Sequence, residues 1–130
     1  MHPRSVLFLV AVAILGAVTT SGAADHRIDM SGSAFVPNTI QIVTGDSVAW
    51  FNEDGVDHTV TSGVSCSPDG LFDSGTLHAG ENFGWRFTQI GTFPYFCTIH
   101  CQSGMTGEIV VIQDTSTAMK TWGKIRSLYR

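Results

Sequence analysis

The sequence is poor in basic residues, and this shortage argues against one broad class of function. Between residues 25 and 114 there is no lysine, and Arg27 and Arg86 face eleven acidic residues, which leaves a net charge of −9. Proteins that bind nucleic acid present a basic surface. We therefore expect no nucleic-acid binding, and an acidic body of this kind suits docking to a basic partner.

The sequence also lacks a long apolar run after its start. Arg4 precedes an apolar stretch over residues 6–18, and small residues follow at 21–24. This order is typical of a secretory signal peptide, and the apolar stretch is short for a membrane-spanning helix. We predict a signal peptide over residues 1–24 and an exported protein, periplasmic or extracellular. An uncleaved membrane anchor is the alternative.

The remaining body shows no helical periodicity. Short segments such as 39–43 and 82–87 alternate apolar and polar residues, with turn residues between them. Segments of this length and spacing predict an all-β sandwich or barrel. We expect one domain over residues 25–113. Within it, residues 63–80 are rich in Gly, Ser, Pro and Asp, which predicts a long surface loop with at most one short strand at 70–72.

The end of the chain differs from the body. Residues 114–130 contain four basic residues and, after Asp114, no acidic residue. Apolar residues recur there at helical spacing: Met119, Trp122, Ile125 and Tyr129. This pattern predicts either a short amphipathic helix that contacts a membrane surface or a partner, or a disordered tail.

The clearest functional signal is the set of potential metal ligands in residues 97–105. This run contains Cys97, His100 and Met105, and His58 lies upstream in an isolated position. One thiolate, two imidazoles and a thioether form the ligand set of a mononuclear copper electron-transfer centre. Cu(I) favours soft sulfur while both oxidation states accept imidazole, so this set suits both states. The sequence therefore predicts one copper ion that cycles between Cu(I) and Cu(II).

The segments around these ligands resemble the cupredoxin family, in particular its plastocyanin-like and amicyanin-like small blue copper proteins. The matching segments are residues 57–60, 75–81 and 91–107, and the Cys-x2-His-x4-Met spacing is similar to that of the plastocyanin loop. The resemblance implies a Greek-key β-sandwich of about eight strands with copper at one end.

The resemblance also implies roles for residues beside the ligands. Asn52 would brace the ligand loops, and the Thr59 amide would donate a hydrogen bond to the Cys97 sulfur. His100 would reach the surface as the electron-transfer port. Two residues would belong to the patch around that port: Leu77 and Gly104. Redox encounters of this kind use small interfaces, under about 1,200 Å².

From this site we expect a monomeric one-electron carrier that meets redox proteins transiently outside the cytoplasm. The alternative is a periplasmic protein that stores copper or delivers it to an oxidase with the same ligands. We do not expect an enzyme, because the reductases and oxidases of this superfamily need additional copper centres and longer chains.

The state of the other two cysteines is open. Cys66 and Cys101 could form a disulfide, which would persist in an exported protein; Cys101 could also remain a free thiol. A structural zinc site is a third alternative, and would use His58, Cys97, His100 and Cys101. A binuclear copper centre is excluded because no histidine follows Cys101.

Overall fold

The computed structural model describes residues 22–115. The predicted signal peptide up to residue 21 and the predicted tail from residue 116 lie outside this part. The described chain forms nine strands: β1 (Asp25–Met30), β2 (Phe35–Val36), β3 (Thr39–Val43), β4 (Ser47–Asn52), β5 (Thr61–Val64), β6 (Ser67–Asp73), β7 (Asn82–Arg86), β8 (Gly91–Phe96) and β9 (Thr106–Ile112). Within residues 22–115, no helix has the length and apolar character needed to cross a membrane.

The strands form two sheets, which confirms the predicted all-β sandwich. One sheet has the order β2-β1-β4-β7 and the other β3-β9-β8-β5-β6. Two pairs of neighbours, β1 with β4 and β3 with β9, are parallel. The chain therefore crosses between the sheets rather than running as a simple meander. The ninth strand, beyond the eight expected, is accounted for by β2, which has only two residues.

Alternation along β4 shows how the two sheets enclose the core. Successive side chains of a strand point to opposite faces, and β4 buries every second one: Val48, Trp50 and Asn52. The Trp50 ring lies 5.3 Å from the ring of Tyr95 in β8 and 5.9 Å from that of Phe72 in β6, measured between centroids. Aromatic contacts thus join the sheets at the centre of the core.

The structure contradicts the loop predicted for residues 63–80. Strands β5 and β6 form an antiparallel hairpin there. Ser65 and Cys66 occupy its turn with φ values of 53° and 60°. Type I′ hairpin turns have positive φ at both central residues, but they usually contain Asn or Gly. Strand β6 lies at the sheet edge, where polar residues and proline are tolerated. The sequence of this hairpin therefore gives little sign of its structure.

The connection between β8 and β9 places the ligand run at one end of the sandwich. These strands are antiparallel neighbours, with Phe96 opposite Thr106. Residues 97–105 therefore form the loop that closes this end. His58 reaches the same end between β4 and β5, where it pairs with Leu77 in an isolated bridge.

Candidate metal centre

Three of the predicted ligands converge at this end of the sandwich. His58 Nδ1 lies 3.2 Å from His100 Nδ1 and 3.8 Å from Cys97 Sγ. Cys97 Sγ lies 3.5 Å from His100 Nδ1. His58 and Cys97 are fully buried and His100 is half-buried. One metal ion could contact all three donor atoms.

Backbone hydrogen bonds hold the loop that carries Cys97, His100 and Met105. The Cys97 N–H donates to the Met105 carbonyl at 3.1 Å, and the Met105 N–H donates to the His100 carbonyl at 3.3 Å. Gly104 has φ of 92°, a left-handed conformation that glycine adopts without steric cost. Met105 is buried in the core. The loop is therefore closed on itself by its own backbone.

Asp54 fixes the orientation of the His58 ring. The His58 Nε2 lies 2.7 Å from Asp54 Oδ2, and the same carboxylate accepts the N–H groups of Gly32 and Ser33 at 2.7 and 2.9 Å. Burial alone would raise the pKa of Asp54, but these hydrogen bonds and the His58 ring outweigh it and lower that pKa. A carboxylate only accepts, so Nε2 donates. The other ring nitrogen, Nδ1, therefore faces the other two donor atoms and is free to bind a metal ion when it carries no proton.

Asn52 braces the segment that carries His58. Its side-chain amide donates to the carbonyls of Val56 and Leu77 at 2.8 and 2.9 Å. Its Oδ1 accepts the Asp54 N–H at 2.9 Å. Leu77 and His58 exchange two backbone hydrogen bonds. The buried Asn52 side chain therefore connects this His58–Leu77 bridge to the loop that contains Asp54.

The Thr59 N–H donates to the Cys97 sulfur at 3.4 Å. The structure thus contains the contact that the resemblance implied for these two residues. Hydrogen bonds to a ligand sulfur tune the properties of a metal bound there.

The surface near His100 differs in part from the expected patch. Gly104 is exposed, but Leu77 is only 5% exposed and packs in the core. Ile99, which precedes His100 in the chain, is 51% exposed. Ile99, the neighbour of His100 in the sequence, therefore supplies exposed apolar surface in this loop, whereas Leu77 does not.

A disulfide joins Cys66 and Cys101 across 35 residues of sequence. It connects the β5–β6 turn to a short 3₁₀ helix, Cys101–Ser103, that directly follows His100. Cys97 is left as a free, buried thiol. The zinc alternative is wrong in its proposed form, because the bridged Cys101 has no thiolate to offer.

The part of the chain that contains this centre matches the sequence profile of a known family. The profile described as "Copper binding proteins, plastocyanin/azurin family" covers residues 23–112. The chain belongs to the plastocyanin/azurin family. Its matches include the chloroplastic plastocyanin of Tetradesmus obliquus, 31% identical over 110 residues, which are 78% of this chain and 76% of that protein. The chloroplastic plastocyanin of Fritillaria agrestis is 33% identical over 115 residues, 79% of this chain and 69% of that protein.

Solved structures of the same fold agree with this membership. A purple cupredoxin from Nitrosopumilus maritimus superposes with a TM-score of 0.61 at 27% identity, over 68% of this chain and all of that one. A Cu(I) amicyanin variant superposes with a TM-score of 0.59 at 23% identity, over 74% of this chain and 88% of that one. The second likeness concerns the fold alone.

The donor set of this plastocyanin/azurin family member fits copper. A free thiol, a His58 ring with its Nδ1 facing the site, and a second imidazole meet at one point. Met105 adds a soft thioether to the same loop. When bound there, copper would supply one-electron exchange between Cu(I) and Cu(II).

Sequence reasoning missed Asp54. It lies in an irregular connection, where no periodicity marks a side chain as buried. Its amide partners, Gly32 and Ser33, are more than twenty residues away. Only its proximity to His58 in the sequence could have drawn attention to it.

Proposed function

We propose that this plastocyanin/azurin family member carries single electrons between proteins outside the cytoplasm, on one copper ion held by His58, Cys97, His100 and Met105. The convergence of the Cys97 sulfur and two imidazole Nδ1 atoms, with mutual distances of 3.2–3.8 Å, supports this proposal. Asp54 orients one of these nitrogens, and a hydrogen bond restrains the sulfur.

Restrained donors favour electron transfer over copper storage or delivery. A carrier benefits when its ligands need not move as the charge of the ion changes, whereas delivery requires ligands that let the ion go. His58 is held by Asp54, Cys97 by the Thr59 amide, and the ligand loop by its backbone and the nearby disulfide. We propose no substrate turnover.

The surface and charge of the domain indicate the kind of partner. His100 is half-buried, with exposed Ile99 and Gly104 beside it in the loop. The net charge of −9 over residues 25–114 favours association with basic proteins. We propose brief encounters of a monomer, with small interfaces, in the periplasm or another compartment outside the cytoplasm.

Voltammetry of the copper-loaded full chain tests the carrier function. We expect a reversible one-electron wave whose amplitude persists over repeated cycles, because the ligands suit both oxidation states. A chelator for Cu(I) added during cycling should remove little metal. Rapid loss of the wave to the chelator would contradict a carrier and indicate delivery. The metal-free protein, which should show no wave, is the control.

A further inference from the structure

A chain of hydroxyl groups connects the surface of strand β6 to the residues beside the Cys97 sulfur. The Thr61 hydroxyl contacts Asp73 Oδ1 at 3.1 Å, and Thr61 Oγ1 lies 3.0 Å from Thr59 Oγ1. Thr59 Oγ1 in turn lies 3.2 Å from Thr98 Oγ1 and accepts the Thr98 N–H at 2.9 Å. Thr59 and Thr61 are buried, whereas Asp73 is exposed.

The carboxylate at the end of this chain determines the direction of every hydroxyl proton. Asp73 can only accept, so Thr61 gives it its single proton. The Thr61 oxygen must then accept from Thr59, whose only proton is used in that bond. The contact between Thr59 and Thr98 therefore has Thr98 as donor. The three hydroxyl groups therefore donate in one direction, from Thr98 to Thr59 to Thr61 to Asp73.

We propose that Asp73 is a remote positioning residue for the metal centre, because it orders the hydroxyls of Thr61, Thr59 and Thr98 so that all three donate away from the end of the hydroxyl chain that adjoins Cys97. This inference concerns the electron carrier proposed above and rests on that function for its redox effect. The same residues meet Cys97 in two ways. The Thr59 N–H donates to its sulfur, and Thr98 follows it in the chain.

Ordered dipoles with their negative ends toward a metal centre favour its more positive oxidation state. The hydroxyl chain should therefore stabilise Cu(II) and lower the reduction potential. The carboxylate charge acts in the same direction, but it is exposed and screened by solvent. Variants that separate the proton order from the charge can distinguish the two effects.

Four variants of the copper-loaded, full-length protein separate the effect of the proton order from that of the charge. Thr61→Val keeps the charge but deprives Thr59 of its acceptor, so the Thr59 proton turns to Thr98. Asp73→Ala leaves water at the end of the hydroxyl chain. Because water both donates and accepts, it imposes no direction on the hydroxyl protons. Asp73→Asn keeps a carbonyl oxygen for Thr61 and for the Gly75 N–H, which also donates to Oδ1. Asp69→Ala removes a carboxylate from the same strand that binds Ser62 and Leu71 instead.

We expect the reduction potential to rise most in Thr61→Val, less in Asp73→Ala, and least in Asp73→Asn and Asp69→Ala, which remove a carboxylate charge and leave the hydroxyl order in place. An unchanged potential in Thr61→Val would overturn the proposal. Equal shifts in Asp73→Ala and Asp73→Asn would also overturn it, because charge alone would then explain the effect.

Amide NMR of the metal-free protein tests the order of the hydroxyl chain without copper. Its outcome therefore does not depend on the proposed function. The Thr98 amide should shift in Thr61→Val and Asp73→Ala, because the oxygen that accepts it changes its other bonds. It should stay in place in Asp69→Ala. An unmoved Thr98 amide in both chain variants, in spectra that are otherwise those of the folded protein, would refute the ordered chain.

Discussion

Two largely buried aspartates flank strand β4 and bind in the same way, yet only one of them serves the metal centre. Asp46 precedes the strand and accepts the N–H groups of Ala24 and Val43. Its Oδ2 also lies 2.8 Å from His26 Nε2. Asp54 follows the strand and accepts two backbone N–H groups and the Nε2 of a histidine as well.

The difference lies in what the other side of each imidazole meets. The His26 side chain is 33% exposed and lies on strand β1. The His58 side chain is fully buried, and its Nδ1 faces Cys97 and His100. A carboxylate–imidazole pair is therefore a structural contact on its own. It becomes part of a metal centre only where a second segment brings a thiol and another imidazole to the opposite ring edge.

Of the variants considered, replacement of Cys97 should have the largest effect on copper binding, because His58 would then no longer face a thiol. Cys97→Ala removes the thiolate, so the affinity for copper should fall by more than the roughly 10–100-fold typical of changes outside the ligand set. Competition with a copper chelator measures the affinity. Cys66→Ala/Cys101→Ala is the control, since it keeps the Cys97 thiol and should retain tight binding. Tight copper binding by Cys97→Ala would show that the sulfur is not a ligand.

The disulfide lies at the end that carries the metal centre, but it should stabilise the whole fold. It closes a loop with a sequence separation of 35, and restriction of the unfolded chain by such a loop contributes about 4 kcal/mol. We expect the metal-free Cys66→Ala/Cys101→Ala variant to lose about this much free energy of unfolding in urea. A loss under about 1 kcal/mol would show that the bridge contributes little to the stability of the fold. Cys97→Ala, which keeps the bridge, is the comparison.

Replacing each of the two aspartates by alanine tests directly whether only the Asp54–His58 pair serves the metal centre. Asp54→Ala should lower the affinity for copper about 10–100-fold, because His58 loses the group that orients it. Asp46→Ala should leave that affinity within about twofold, since its imidazole faces no other donor. Both variants should lose about 1–3 kcal/mol of stability, the cost of unsatisfied hydrogen-bonding groups. Equal copper affinities, measured by chelator competition, would contradict the distinction between the two pairs.

The smallest effect we expect is a dependence of stability on pH, which should reveal the structural role of Asp46 in acid. Burial alone would raise the pKa of Asp46, but hydrogen bonds from Ala24, His26 and Val43 outweigh it and lower that pKa. A carboxylate with a lowered pKa stabilises the fold above its unfolded pKa of about 3.9 and loses this contribution as the pH falls through its folded pKa. Unfolding of the metal-free protein in urea should therefore show a steeper loss of stability below about pH 4 than Asp46→Asn shows. Parallel pH profiles would exclude this role.

The ligand loop was predictable because its chemistry is local. Cys97, His100 and Met105 lie within nine residues, and few other sites combine a thiol, an imidazole and a thioether. The strands with alternating apolar residues, such as β4, were predictable for the same reason. In both cases the information lies within one short segment.

The supporting contacts were not predictable because they join distant segments through ordinary polar residues. Asp54 reaches the turn after β1, and Thr61 and Thr59 together connect β6 to the residue after Cys97. Nothing in the local sequence distinguishes such residues from exposed polar ones. The β5–β6 hairpin was missed because its turn, Ser65 and Cys66, lacks the usual turn residues.

The visible absorption spectrum of the copper-loaded protein tests the central claim most directly. A thiolate from Cys97 bound to Cu(II) together with two imidazoles should give an intense visible band that disappears on addition of a mild reductant and returns on reoxidation. A copper-loaded protein without colour, or with a weak band that does not respond to the reductant, would contradict a centre built on His58, Cys97 and His100.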